Sequence, residues 1–276
     1  MHGDRSRDEF TACNRAAWNE AAPVHAATEL EKLQNEIGQP DFSCLDATAA
    51  HALREAGVAG SHVAQLACNN GREVLSMLTL GAASAVGFDI SEGFIAQAVE
   101  LAQRAGRGAD CEFVVSDLYN IPTGYDRTFD VVYSSVGVLG WMPELAGFFA
   151  VAHRLLKPGG RLVIYELHPV LGMFDPDRAA DPGQPVTLPS YSYFSADPFS
   201  DTTGLDYWTG TQYESSAFFW FQHTLGSIVS SCLAAGLALK SLREFGHDIS
   251  RIYGRLEKAE AVPPMCFLLH AERPAS

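Results

Sequence analysis

The sequence predicts an α/β protein built on a doubly wound, mostly parallel sheet. Two observations carry that prediction. Short apolar runs alternate with helical runs from Val63 onward, the order expected of βαβ units. Asp89 then ends the run Ala85-Val86-Gly87-Phe88-Asp89, 18 residues beyond the small-residue loop Leu66-Ala67-Cys68-Asn69-Asn70-Gly71. Strand, small turn, helix, strand and acid form a unit suited to a nucleoside. The turn lets backbone N–H groups approach a ligand at a helix N-terminus, and the acid accepts hydrogen bonds from ribose hydroxyls.

The elements follow in order. Residues 10–37 read as one helix, with Trp18, Ala22, His25 and Glu29 at turn spacing, broken at Pro40-Asp41. A second helix runs from Leu45 to Ala56 and stops at Gly57. Strand 63–66 leads to helix 71–80, and strand 85–89 to a helix that starts near Ser91 and ends at Gly106. Strands 112–116 and 129–134 come next, then helix 143–156, closed by Pro158-Gly159-Gly160, and strand 161–167. The alternation stops at His168-Pro169. Between 170 and 220 lie five prolines and eleven aromatic residues, which read as an irregular or antiparallel insertion with its own small core. A helix from Thr224 to Ala235 and strands 237–244 and 265–271 complete a seven-stranded sheet. The division is therefore a helical cover (1–60), a core (61–169 and 222–276) and an aromatic-rich lid (170–221).

The loop narrows the ligand. A dinucleotide fingerprint would need glycine at Ala67, Asn69 and Arg72, and no phosphate-cradling G-x-x-x-x-G-K-[ST] occurs. A ligand with a ribose and no phosphate fits better. Asn tolerates left-handed backbone angles, so Asn69 and Asn70 can still make the turn.

Val63-Ala64-Gln65-Leu66-Ala67-Cys68-Asn69-Asn70-Gly71 resembles the first motif of the class I S-adenosylmethionine-dependent methyltransferases. Glu112 to Leu118, Phe129 to Ser135 and Arg154 to Ile164 resemble later segments of that family in the right order. The resemblance implies a final strand antiparallel to the others, S-adenosylmethionine as methyl donor, S-adenosylhomocysteine as product and a small-molecule acceptor. It also implies roles for residues. Ala67, Cys68, Asn69, Asn70 and Gly71 would form the cofactor loop, Asp89 with Ile90 would meet the ribose, and Asp117 with Leu118 would meet the adenine edge. Ser134 and Ser135 would line the cofactor floor. Trp18, with Asn14 and His25 on the same helix, would fold over the cofactor. Asp89 and Asp117 are equally suited to capping helices, Cys68 to packing the turn, and Trp18 to stapling its helix to the core. Gln65 stands where the family usually has an acid, so a charge near the cofactor's ammonium is missing.

His168 after strand five and His223 after the insertion are the candidate bases or substrate anchors, since histidine is suited to proton removal near neutral pH. Structural, hydrogen-bonded histidines are the competing reading. The lid aromatics Tyr191, Tyr193, Phe194, Phe199, Tyr207, Trp208, Tyr213, Phe218, Phe219 and Trp220 are expected partly to roof an apolar pocket and partly to build the lid.

Composition limits partners. The formal charge is −14, from 33 acids and 19 bases, which disfavours nucleic acid and anionic membranes. The fourth strand ends in Ser134-Ser135-Val136-Gly137 rather than the D/N/S-P-P-Y/F of base-methylating relatives. No C-x-x-C pair or His/carboxylate metal spacing occurs, so no metal is expected. The polar start Met1-His2-Gly3-Asp4-Arg5 shows no signal peptide, and six unpaired cysteines suit a cytoplasmic protein. The expected function is methyl transfer to oxygen, nitrogen or carbon of a small, aromatic or apolar metabolite. Non-methyl-transfer chemistry on the same fold, and a non-catalytic cofactor sensor, stay open. The oligomeric state is not legible.

Overall fold

The computed structural model describes residues 5–176, 183, 185–250 and 252–275, so Met1 to Asp4 lie outside the described residues. Its strands are β1 (His62–Leu66), β2 (Ser84–Asp89), β3 (Cys111–Val115), β4 (Phe129–Ser135), β5 (Leu156–Leu167), β6 (Phe199–Asp201), β7 (Phe218–Trp220), β8 (Ala238–Phe245) and β9 (Cys266–Glu272). Seven of them form one sheet in the order β3-β2-β1-β4-β5-β9-β8. The pairs β1–β2, β1–β4, β2–β3 and β4–β5 are parallel, and β9 alone runs against its neighbours β5 and β8. Strand order reverses between β1 and β4. In open α/β sheets that switch point, beyond the carboxyl ends of the strands, is where a crevice opens.

Helices cover both faces: α1 (Arg7–His25), α2 (Glu31–Glu36), α3 (Ala47–Glu55), α4 (Arg72–Thr79), α5 (Glu92–Arg104), α6 (Leu145–Leu155), α7 (Leu225–Ala234) and α8 (Gly254–Glu257). One layer packs Leu66, Phe88 and Leu162 against Phe148, Phe149 and Leu155 of α6. The other packs Val63, Tyr133 and Val163 against Leu53, Val74 and Met77. Burial on both faces explains why β1 and β4 read as continuous apolar runs rather than alternating ones. Polar residues start the helices: Ser6 makes a reciprocal capping box with Glu9, and Asp46, Ser91 and Thr224 cap α3, α5 and α7.

Three elements differ from the sequence expectation. The single helix 10–37 is α1, a π turn (Ala26–Leu30) and α2. Pro23 lies inside α1 and carries no N–H for the helical ladder, and the wider turn begins three residues later. β5 starts at Leu156, not Arg161, because Leu156 pairs with Phe129 before a register shift carries the strand to Arg161 opposite Val131. The segment expected as a lid contains the two-stranded antiparallel sheet β6–β7, and its described apolar residues pack on neighbouring elements. Phe219 packs edge to face on Phe10 of α1, with centroids 5.0 Å apart, while Leu171 and Phe174 share a cluster with Tyr253, Leu256 and Met265 near the C-terminus. No helix among the described residues is long and apolar enough to cross a membrane.

Candidate cofactor and substrate site

A cavity of about 790 Å³ opens at the switch point. One wall is the carboxyl edge of the sheet; the other is aromatic and comes from α1, the loop after β4 and the lid.

The sheet wall is set by backbone geometry. Ala67 and Asn69 hold φ of 54° and 50°, and Gly71 holds 74°. Both non-glycine residues therefore adopt the left-handed conformation that glycine would supply. Asn69 stabilises it locally, because its Oδ1 accepts from the Asn70 N–H at 2.8 Å. Gly71 has no alternative: a Cβ there would lie 2.5 Å from the Phe113 ring. Cys68 packs where Gly87 leaves room, since a Cβ on Gly87 would meet its Sγ at 2.7 Å.

Asp89 ties the loop to β2. Its Oδ2 accepts from the Asn69 N–H at 2.8 Å and its Oδ1 from the Ser91 N–H at 2.9 Å. Burial pushes the Asp89 carboxyl up to about 6, against the pull of those amides. A carboxylate accepts about four hydrogen bonds, so Asp89 keeps acceptor capacity beyond its backbone amides. Asp117 caps a short 3₁₀ turn (Leu118–Asn120), accepting from the Tyr119 N–H at 3.0 Å and Asn120 Nδ2 at 3.1 Å, as well as bordering the cavity. Ala67, Cys68, Asn69, Ile90, Leu118, Ser135 and Trp18 also border it; Asn70, Gly71 and Ser134 do not. Those three sit behind the surface, where Asn70 and Gly71 shape the turn and the Ser134 hydroxyl is sealed in the sheet.

The aromatic wall is a chain of edge-to-face rings. Trp141 stands 5.1 Å from Trp18 and 5.1 Å from Trp220, joining three separate elements. Tyr207 packs on His25 at 4.7 Å, and the Arg72 guanidinium lies 5.1 Å over Trp208. Of the lid aromatics, Tyr191, Phe199, Tyr207, Trp208, Phe218 and Trp220 border the cavity, while Tyr193, Phe194, Tyr213 and Phe219 do not. Polar clasps hold α1 to the lid. Asn14 Nδ2 donates to the Phe219 carbonyl at 3.0 Å and its Oδ1 accepts the Phe219 N–H at 2.7 Å. His25 Nε2 meets the Leu205 carbonyl at 2.6 Å.

Neither candidate base reaches the main cavity. His168 and His223 border a separate cavity of about 80 Å³. Pro169 starts a 3₁₀ turn (Pro169–Met173), and His168 Nδ1 caps it by accepting from the Val170 N–H at 3.1 Å. His168 Nε2 then stands 2.8 Å from the Glu244 carboxylate. His223 Nε2 donates to the Met142 carbonyl at 2.8 Å. Burial lowers both imidazoles below the usual range. The expectation that both face the substrate is thus corrected: each is turned away by a backbone partner that the sequence could not reveal.

Three groups escaped the sequence. Glu166 at the end of β5 is buried and accepts from the N–H groups of Gly137, Leu139 (3.1 Å) and Leu167 (2.7 Å), fixing the loop that carries Trp141. Glu73 and Arg72, at the start of α4, border the cavity beside Gln65. Gln65 Nε2 donates to Glu73 Oε2 at 2.5 Å, and Ser135 donates to the same oxygen. An acid in a helix's first turn reads as an ordinary dipole partner, so the sequence held no distinct signal.

A nucleoside ligand fits this wall. The loop turns as such a ligand requires, Asp89 keeps acceptor capacity, and Gln65 Oε1 is a buried acceptor with no partner. No group of three or more His, Cys, Asp or Glu side chains able to hold a metal occurs among the described residues.

Comparison with known proteins agrees with the geometry. Residues 64–164 match the methyltransferase domain family. The demethylmenaquinone methyltransferase of Clavibacter sepedonicus is 36% identical over 112 residues, which is 40% of this chain and 43% of that protein. An S-adenosylmethionine-dependent methyltransferase from Mesorhizobium loti superposes with a TM-score of 0.53 at 23% identity, over 81% of this chain and 96% of its own. Geranyl diphosphate C-methyltransferase from Streptomyces coelicolor gives 0.60 at 12% identity, over 96% and 97%. In sheet order the chain shares the fold of these methyltransferases, and its residues 64–164 match the methyltransferase domain family. It spans between 32% and 43% of the length of several curated relatives.

Proposed function

We propose that the protein transfers a methyl group from S-adenosylmethionine to a small, largely apolar or aromatic molecule. One observation carries this reading: the nucleoside wall and the aromatic wall border the same 790 Å³ cavity. Bound there, the cofactor supplies an electrophilic methyl group on a sulfonium. The chain's own work is to hold and orient. The loop Ala67 to Asn69 and Asp89 would fix the ribose, Asp117 and Leu118 the base. The rings of Trp18, Trp141, Trp220 and Tyr207 would pack an acceptor against the reacting end and exclude water. Positioning of this kind supplies most of the rate in an in-line displacement. Neither histidine borders the cavity, so an acceptor already carrying its nucleophilic electron pair, at carbon, nitrogen or an ionised oxygen, suits the site best.

Supporting this, the similar proteins above are named for small-molecule acceptors. The charge of −14 argues against nucleic acid as substrate, and six free cysteines suit a cytoplasmic setting. The test has two arms. Calorimetry with S-adenosylhomocysteine should show binding, and incubation with S-adenosylmethionine and a panel of small aromatic and prenylated acceptors should release S-adenosylhomocysteine, read by mass spectrometry. Binding with no product from any acceptor would favour different chemistry or a sensor; no binding removes the cofactor reading.

A further inference from the structure

The acid missing at position 65 has a replacement eight residues on. Gln65 ends β1, is 2% exposed and carries no charge. Its amide nitrogen donates to Glu73 Oε2 at 2.5 Å, and the Ser135 hydroxyl donates to that oxygen too. One buried acceptor remains: Gln65 Oε1 has no hydrogen-bond partner among the described residues. Both side chains border the cavity, and Arg72 on the next position of α4 borders it as well. A carboxylate in the cavity wall with an unpartnered amide oxygen beside it suits an ammonium, which has three donors.

We propose that Glu73 supplies the charge that Gln65 lacks, and that the Gln65–Glu73 pair seats the cationic amino group of an α-amino acid head on the nucleoside ligand. This rests on the cofactor reading above. Arg72, held over Trp208, is placed to meet the carboxylate of the same head. The carboxylate has moved from strand to helix, but the cavity presents the same sign of charge from a neighbouring position. Burial pushes the Glu73 carboxyl up, consistent with a site whose cation arrives with the ligand.

The test compares S-adenosylhomocysteine with 5′-methylthioadenosine, which keeps the nucleoside and lacks the amino acid head. Glu73→Gln should weaken S-adenosylhomocysteine by about tenfold or more and leave 5′-methylthioadenosine unchanged. Adding Gln65→Glu to that variant should restore the preference, because the charge returns to the strand. An unchanged preference in Glu73→Gln overturns the proposal while leaving cofactor binding intact; wild type that binds neither ligand removes the underlying reading instead. On the wild-type protein alone, the analogue of S-adenosylhomocysteine without its α-amino group should bind about tenfold or more weakly. Equal affinity for the two overturns the proposal whether or not the variants fold.

Discussion

The two walls of the cavity are held by different physics. The sheet wall is made of backbone: left-handed residues, amide hydrogen bonds to Asp89 and a position without a Cβ at Gly71. The aromatic wall is made of side chains from elements far apart in the chain, clasped by Asn14 and His25 and joined edge to face through Trp141. A backbone-built wall has one shape and fails outright when a covalent detail is wrong. A wall of docked elements loosens by degrees. This division suits the proposed function, in which one fixed cofactor is bound and an acceptor must be admitted and released.

The largest effect is expected on the backbone wall. Gly71→Ala places a Cβ 2.5 Å from the Phe113 ring and 2.9 Å from Ala98, at a φ of 74°. Left-handed strain and overpacking together should destabilise the fold by about 3 kcal/mol or more in a denaturant titration. A loss under about 1 kcal/mol would show that the loop adapts and that the contrast between the walls is false.

Asp89 tests the same wall through pH. Its carboxyl rises from an ordinary value of 3.8 to about 6, so between those values the folded state binds more protons than the unfolded one. Its contribution to stability is present below pH 4 and lost as the pH rises through 6, a change of about 3 kcal/mol. Asp89→Asn should flatten that part of the curve by the same amount, and the difference isolates it from Glu73 and Glu166, which are also pushed up. Ionised Asp89 is the form that accepts ribose hydroxyls, so affinity for S-adenosylhomocysteine should weaken as the pH falls below 6. Asp89→Ala should lower that affinity by about tenfold or more at pH 7.

Asn14→Ala sharpens the contrast from the other side. It removes both hydrogen bonds to Phe219 and should cost about 1–3 kcal/mol, read as faster hydrogen exchange in β7. Cofactor affinity should hardly change. Equal exchange in β7 and in the 67–71 loop would mean the walls open together.

The smallest effect is expected at the histidines. His168→Asn and His223→Asn should leave turnover with an identified acceptor far above the about 10²-fold loss that removing a general base produces. A loss of that size in either variant would return the proton-transfer role to the small cavity.

The sequence alone determined what is local in the chain. Alternating apolar runs specified the sheet and its order of elements. The acid at Asp89 and the amide residues of the loop specified the nucleoside wall, because the conformations they serve arise within a few residues. The departure at Gln65 was equally visible, but Glu73 was not readable as its counterpart, since first-turn acids are common for reasons of helix dipole alone. Tertiary structure decided the rest. Trp18, Trp141 and Trp220 meet only because three distant segments dock, and Glu166 matters only because the loop after β4 folds back over its carboxylate. The histidines show the limit most clearly. Their positions after β5 and after the lid pointed to the crevice, but Pro169 forces a tight turn capped by His168, and His223 finds a carbonyl at Met142. Sequence position sets the strand end at which a side chain emerges. The direction it takes depends on hydrogen-bond partners that exist only once the chain has folded.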